Sequence, residues 1–260
     1  MKPIRIAQIS DTHLGQTDSY QLLGMDTDYS LRQVLKLFDQ SGQHAELILL
    51  SGDISNNGYQ QAYQRLYHLL EARDNVVWLP GNHDSVNLMK TVCAERWFRP
   101  RIVVGNWQII SLDSSVPGSS KGSLGADQIT FLEDALQAHP DLYTLIALHH
   151  HVLPVGSDWL DEQLLSNQQA FFDLISAYPQ VKAVTSGHVH QATDREKNGV
   201  RVLTAPSTCI QFAPNSPEFL VSTEAPGLRW LELYPDGSLQ TRVERVQDVE
   251  FHIDLSAKGY

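Results

Sequence analysis

Asn75-Val76-Val77-Trp78-Leu79-Pro80-Gly81-Asn82-His83-Asp84 is the stretch on which the fold turns. An apolar, β-branched run stopped by Pro-Gly reads as a buried strand. It ends directly in side chains able to bind a metal. Four other runs repeat the design. Residues 4–10 lead into Asp11-Thr12-His13, and residues 46–51 into Gly52-Asp53. Residues 144–148 lead into His149-His150-His151, and residues 181–186 into Gly187-His188-Val189-His190. Ligands in α/β sheets gather beyond the carboxyl ends of strands. If the five strands share one sheet system, their tips converge on a polynuclear metal site.

Between these runs the periodicity changes to that of helices. Ser30 is positioned to cap a helix whose Leu31, Val34, Leu35 and Phe38 fall on one face. Further helices are predicted over residues 59–72, 126–138 and 168–177, the last stopping before Pro179. Strand and helix thus alternate, the pattern of βαβ units and parallel pairing. Hairpins are predicted at Gly105-Asn106, at Asn198-Gly199 and at Pro235-Asp236-Gly237. Asn-Gly is the sharpest of these, because a type I′ turn needs positive φ at both central positions. The sum is a mixed-sheet α/β protein with two sheets packed face to face and helices outside.

Composition agrees. The 260 residues are 42% apolar and 19% charged, with a formal net charge of −11. That balance disfavours nucleic acid and anionic membranes, which need a positive surface. No apolar stretch approaches the roughly 20 residues that span a bilayer, and no secretory signal is visible at the N-terminus. Cys93 and Cys209 are too few for a disulfide framework and read as buried thiols of a cytoplasmic protein. Nothing calls for an obligate protein partner. Trp78, Trp107 and Trp230 read as core, whereas His44, His68, His139 and His252 read as exposed. Residues 206–212 could equally contact a ligand or pack a loop.

The candidate ligands are Asp and Asn oxygens with His nitrogens and no Cys, a set suited to iron, manganese or zinc. Asp11 and His13 stand two apart, so an extended strand end would turn both the same way, and His188 and His190 repeat the spacing. Asp53 stands alone, as a carboxylate bridging two ions would. Asn82 offers a neutral oxygen. Spacing does not choose between His149 and His150.

The order Asp-x-His, Gly-Asp, Gly-Asn-His-Asp, His, Gly-His-x-His resembles the calcineurin-like metallophosphoesterase superfamily, and all five blocks are intact. Within it, the segment from Trp78 to Asp84, Ser111-Leu112-Asp113-Ser114, Leu148-His149-His150-His151 and the segment from Ala205 to Phe212 resemble the bacterial class III 3′,5′-cyclic AMP phosphodiesterases. Ala225-Pro226-Gly227-Leu228-Arg229 and Lys258-Gly259-Tyr260 extend the likeness along the chain. Val152 departs from it, since a proline often stands there.

The resemblance implies a metallo-dependent phosphatase fold over residues 1–260, a four-layer αββα sandwich of two mixed β-sheets flanked by helices. It implies two divalent transition-metal ions, iron or manganese first and zinc also accommodated. One would be held by Asp11, His13, Asp53 and His190, the other by Asp53, Asn82, His149 and His188, with His150 the alternative to His149. Such a pair lowers the pKa of a bridging water, so that hydroxide attacks phosphorus in line and opens 3′,5′-cyclic AMP to 5′-AMP. His83 would donate to the phosphate or leaving oxygen, oriented by Asp84. His13, Asp53, Asn82, His83 and His190 would border the bound nucleotide. Two alternatives stand beside this: a broader enzyme for glycerophosphodiesters or 2′,3′-cyclic nucleotides, and a non-catalytic scaffold.

Overall fold

Leu47-Ile48-Leu49-Leu50 shows how one apolar run serves two cores. Successive side chains on a strand point to opposite faces, so Leu47 and Leu49 enter one cluster while Ile48 and Leu50 enter another. The same division holds for Val77 and Leu79 against Val76 and Trp78. Strands apolar on both faces must be covered on both faces.

The computed structural model describes residues 2–259, so Tyr260 of the family likeness lies outside them. The first sheet has the strand order Leu239–Arg245, Gly227–Leu233, Ile4–Ile9, Leu47–Ser51, Val76–Leu79. Its last three strands are parallel and the first two antiparallel. The second sheet runs Asp194–Lys197, Val200–Thr204, Val181–Ser186, Tyr143–Ala147, Trp107–Ser111, Arg101–Val104, with antiparallel pairs at both edges.

Ile6, Leu49, Val77, Trp107, Leu145 and Leu231 form the core between the sheets. Outside the first sheet, Leu31, Leu66 and Met89 bring helices Thr27–Gln40, Gln60–Leu70 and Val86–Cys93 onto Ile9, Leu50 and Trp230. Outside the second, Leu132 and Phe171 bring Ala126–Ala138 and Gln168–Ile175 onto Ile146 and Val184. Helix, sheet, sheet and helix make the four layers expected. Each fully buried Leu or Ile stabilises this arrangement by about 1.5–3 kcal/mol relative to exposure. Trp78, Trp107 and Trp230 are all core, at 1% exposure or less. Cys93 and Cys209 are buried and free.

The Asn198-Gly199 turn has φ of 54° and 77°, as its type requires. The first helix corrects the reading of Ser30. It starts at Thr27, where Asp26 caps it by accepting from the Tyr29 N–H at 2.8 Å. The Ser30 hydroxyl donates instead to the Thr208 carbonyl at 2.6 Å. Helix Val86–Cys93 goes unread in the sequence. His139 is half-buried rather than exposed. No helix among the described residues is long and apolar enough to cross a membrane.

Candidate metal centre

Three adjacent parallel strands of the first sheet and two of the second end at one edge of the sandwich. Ile4–Ile9, Leu47–Ser51 and Val76–Leu79 deliver Asp11 and His13, Asp53, and Asn82 to Asp84. Tyr143–Ala147 and Val181–Ser186 deliver His149, His188 and His190 from the facing sheet. Donor atoms of Asp11, His13 and His190 lie within 4.8 Å of one another, as do those of His13, Asp53 and His83, and of Asp53, His149 and His188. Asp53 belongs to two of these groups. Asn82 joins through its Oδ1, 3.2 Å from His149 Nε2.

The backbone reaches this arrangement differently from the extended strand ends inferred above. Asp11, His13, Asp53, His188 and His190 all have positive φ, from 45° to 69°. Left-handed backbone is uncommon for such residues and persists only where surroundings over-determine it. Here the loops hold one another. His13 N–H donates to the Asp53 carbonyl at 2.9 Å, and Gly187 N–H to the His149 carbonyl at 3.1 Å. His188 N–H donates to both Asp11 oxygens at 3.0 and 3.1 Å. The loops also pack too closely for side chains at Gly52, Gly81 and Gly187. A Cβ on Gly81 would lie 2.1 Å from Asp53 Oδ1, and one on Gly187 2.1 Å from Ser10 Oγ.

Acceptors behind the rings fix their tautomers. His190 Nδ1 donates to the Ile210 carbonyl at 2.7 Å, and His149 Nδ1 to the Ser51 carbonyl at 2.9 Å. Asn56 serves two rings, accepting from His13 Nδ1 through Oδ1 at 2.9 Å and from His83 Nδ1 through its carbonyl at 2.7 Å. A neutral ring that donates through Nδ1 aims its Nε2 lone pair the other way, into the cluster. His13 Nε2 and His190 Nε2 consequently stand 3.0 Å apart. His149 Nε2 is 3.2 Å from Asp53 Oδ2 and 3.2 Å from Asn82 Oδ1. Acceptors face acceptors, a set that only a cation or a proton in its place can satisfy. His188 Nε2 is buried with no hydrogen-bond partner among the described residues. The donor set fits transition-metal ions.

Electrostatics agree. Burial pushes the Asp53 carboxyl up, but His149 and His83 outweigh it and hold the carboxyl well below its ordinary range. Burial pushes His149 down, and Asp53 reverses this, raising it to about 9. Burial keeps His188 neutral far below its usual range, with His150, His149 and His151 adding to the effect.

His150 packs beside the cluster, its ring centroid 4.8 Å from that of His188, but its Nδ1 is turned away. Its Nδ1 pairs with Ser114 Oγ at 2.8 Å, and its ring closes against Gly122, where a Cβ would lie 2.3 Å away. Asp84 also lies a layer back. It accepts from the backbone N–H groups of Ile54, Ser55 and Gly81 at 3.0 to 3.1 Å and from the Tyr63 hydroxyl at 3.0 Å. His83 Nδ1 donates to the Asn56 carbonyl at 2.7 Å. Burial and the Asp53 charge raise the Asp84 carboxyl to about 6.

Residues 206–212 pack under the site. Ser207 Oγ donates to the Asp11 carbonyl at 2.7 Å, and Phe212 lies flat on His190 with centroids 4.3 Å apart. A cavity of about 500 Å³ opens beside Asn82, His83 and His188, and Trp159, Gln163 and Phe219 also line it. Another of about 540 Å³, bordered by His44, Glu46 and Asn75, sits at the amino ends of the strands, away from the cluster. Asn56 and Trp159 escaped the sequence reading. The polar run Ser55-Asn56-Asn57-Gly58 just after Asp53 was the available signal for the first, and Trp159 carried none.

Known proteins share this architecture. A dimetal phosphatase from Danio rerio superposes with a TM-score of 0.63 at 13% identity, covering 94% of this chain and all of that one. The chain is 41% identical to the 3′,5′-cyclic adenosine monophosphate phosphodiesterase CpdA of Pseudomonas aeruginosa and 40% identical to that of Escherichia coli (strain K12). Both alignments cover 99% of this chain and 95% of the relative. The family model for calcineurin-like phosphoesterases matches residues 4–192, which include every block from Asp11 to His190. The chain belongs to the calcineurin-like phosphoesterase family.

Proposed function

We propose that this chain hydrolyses 3′,5′-cyclic AMP to 5′-AMP at a dinuclear metal centre. One observation carries the reading. Imidazole nitrogens and carboxylates converge in three groups, two of which share Asp53, in a chain 40–41% identical to relatives named for that activity. Asp11, His13, Asp53 and His190 are assigned to one ion, and Asp53, Asn82, His149 and His188 to the other. Iron or manganese suits the set, and zinc is permitted. His149 is preferred over His150 because its Nε2 faces Asp53 at 3.2 Å while His150 is engaged by Ser114.

Bound there, two divalent ions supply Lewis-acid charge to a phosphodiester and lower the pKa of water at neutral pH. The protein does the rest. Asn56 accepts from His83 Nδ1 and orients the ring, which as an imidazolium would donate through Nε2 toward the phosphate and the departing 3′ oxygen. Asp84 fixes the Gly81 and Ile54-Ser55 backbone from which Asn82 and Asp53 project. Two buried free thiols, Cys93 and Cys209, support a reducing, cytoplasmic setting.

The test is a substrate panel on protein of known metal content: 3′,5′-cyclic AMP, 2′,3′-cyclic AMP, a glycerophosphodiester and bis(p-nitrophenyl) phosphate, with products identified by phosphorus NMR. 5′-AMP should be the sole product of the first, and the first the preferred natural diester. Preference for a non-cyclic diester would overturn the assignment.

A further inference from the structure

The cavity beside the cluster has a wall that phosphate chemistry leaves unused. Four of the five tryptophans, Trp78, Trp97, Trp107 and Trp230, are sealed in the core at 1% exposure or less. Trp159 is the fifth, partly exposed, and it lines the cavity with the half-buried Phe219. Partly exposed aromatic faces beside a phosphate site are a platform on which a nucleobase can stack.

This wall is built as firmly as the metal cluster and joins it. Trp159 meets Phe219 with ring centroids 5.0 Å apart and Phe212 with centroids 4.9 Å apart. Phe212 in turn lies flat on His190. The turn carrying Trp159 starts at Ser157, which is fully buried. Its hydroxyl donates to the Ala213 carbonyl at 3.3 Å and accepts from Gln191 Nε2 at 3.2 Å. A platform fixed before the ligand arrives loses little entropy on binding.

Gln163 stands one turn beyond Trp159 on the same cavity lining, its Nε2 donating to the Trp159 carbonyl at 3.3 Å. A primary amide has two N–H donors and a carbonyl acceptor, so with one N–H on Trp159 a donor and an acceptor remain. Adenine presents the complementary pair, an N6 donor beside the N7 acceptor, whereas guanine presents two acceptors there. A cyclic nucleotide carries phosphate and base on one ribose, so phosphate at Asn82 and His83 delivers the base into this same cavity.

We propose that the nucleobase of the substrate stacks on Trp159 with Phe219 meeting it edge-on, and that Gln163 reads its adenine edge. The inference rests on the cyclic-nucleotide reading above, and its test is chosen to separate the two. Calorimetric binding of 5′-AMP, 5′-GMP and inorganic phosphate to the metal-loaded protein needs no turnover. Wild type should bind AMP more tightly than either GMP or phosphate. Trp159→Ala should weaken AMP about 5- to 100-fold, the worth of one stacked base, and leave phosphate affinity unchanged. Trp159→Phe should retain most AMP affinity, and Gln163→Leu should erase the preference for AMP over GMP.

Wild type that binds AMP no better than phosphate overturns the subsite. So does Trp159→Ala with unaltered AMP affinity, or with AMP and phosphate weakened alike. A protein that shows the expected binding pattern but hydrolyses no cyclic AMP keeps the subsite and loses the proposed reaction.

Discussion

Thr185 donates its hydroxyl to Gln8 Oε1 at 2.6 Å, across the seam between the two sheets. Gln8 is fully buried, and its Nε2 donates to Ser51 Oγ at 2.9 Å and to the Ser186 carbonyl at 3.1 Å. Deeper in the seam the facing side chains are apolar, and beyond Gln8 they are the candidate ligands. The amide therefore sets Ile4–Ile9 against Val181–Ser186 just before Asp11 meets His188. Gln8→Leu keeps the volume and strands the Thr185 hydroxyl, while Ser51 keeps its bond to Ser10 Oγ at 2.7 Å. Each buried group left unpaired costs about 1–3 kcal/mol, so the urea unfolding midpoint of the metal-free protein should fall clearly. An unchanged midpoint would mean that water takes over the bonds.

Asp53→Ala tests the shared ligand. Asp53 draws together donors from both sheets and is the main influence raising His149. Its removal should lower metal content from two ions per chain to below one, whereas His190→Ala should retain one. Metal analysis after gel filtration reads the difference. Two ions retained in Asp53→Ala would end the bridging assignment.

His83→Ala separates chemistry from metal binding. The ring borders the cluster and is held from behind by Asn56 rather than by a carboxylate. Loss of a positioned proton donor costs about 10²–10⁴ in rate, so kcat on cyclic AMP should drop in that range with metal content kept. The matching control is a substrate whose leaving group needs no proton. Turnover of bis(p-nitrophenyl) phosphate should suffer far less, and an equal loss on both substrates would remove the general-acid role.

The strand tips are legible because their signals are local: β-branched runs, Gly and Pro stops, and ligand-type residues immediately after. The backbone at those tips is not. Asp11 and His13 look extended in isolation, and their left-handed φ comes from partners distant in sequence, among them the Asp53 carbonyl and the His188 N–H. The choice of His149 over His150 likewise depends on which ring meets Ser51 and which meets Ser114. Asn56 and Trp159 gain their meaning only from the cluster and cavity beside them. Ser30 misleads because two cap-type residues stand four apart, and only tertiary packing against Thr208 decides between them.

His150 gives the fold an acid sensitivity whose sign is fixed by its burial. Burial above all, with His149 adding, lowers its pKa from 6.5 to about 3. The unfolded chain therefore takes up a proton near pH 6.5 that the folded chain refuses until about pH 3. Between those values the unfolded state binds more protons, so stability is intact at neutral pH and is lost on acidification. One such group contributes a slope of about 1.4 kcal/mol per pH unit. His150→Asn removes the titration, and its amide can still reach Ser114. Urea unfolding of the metal-free proteins from pH 7 to pH 5 should show a shallower slope in the variant by about one proton. The other buried histidines are present in both proteins, so the difference is read at His150 together with its influence on His188. Equal slopes would mean that the ring accepts its proton inside the fold, and that burial against Gly122 does not keep it neutral.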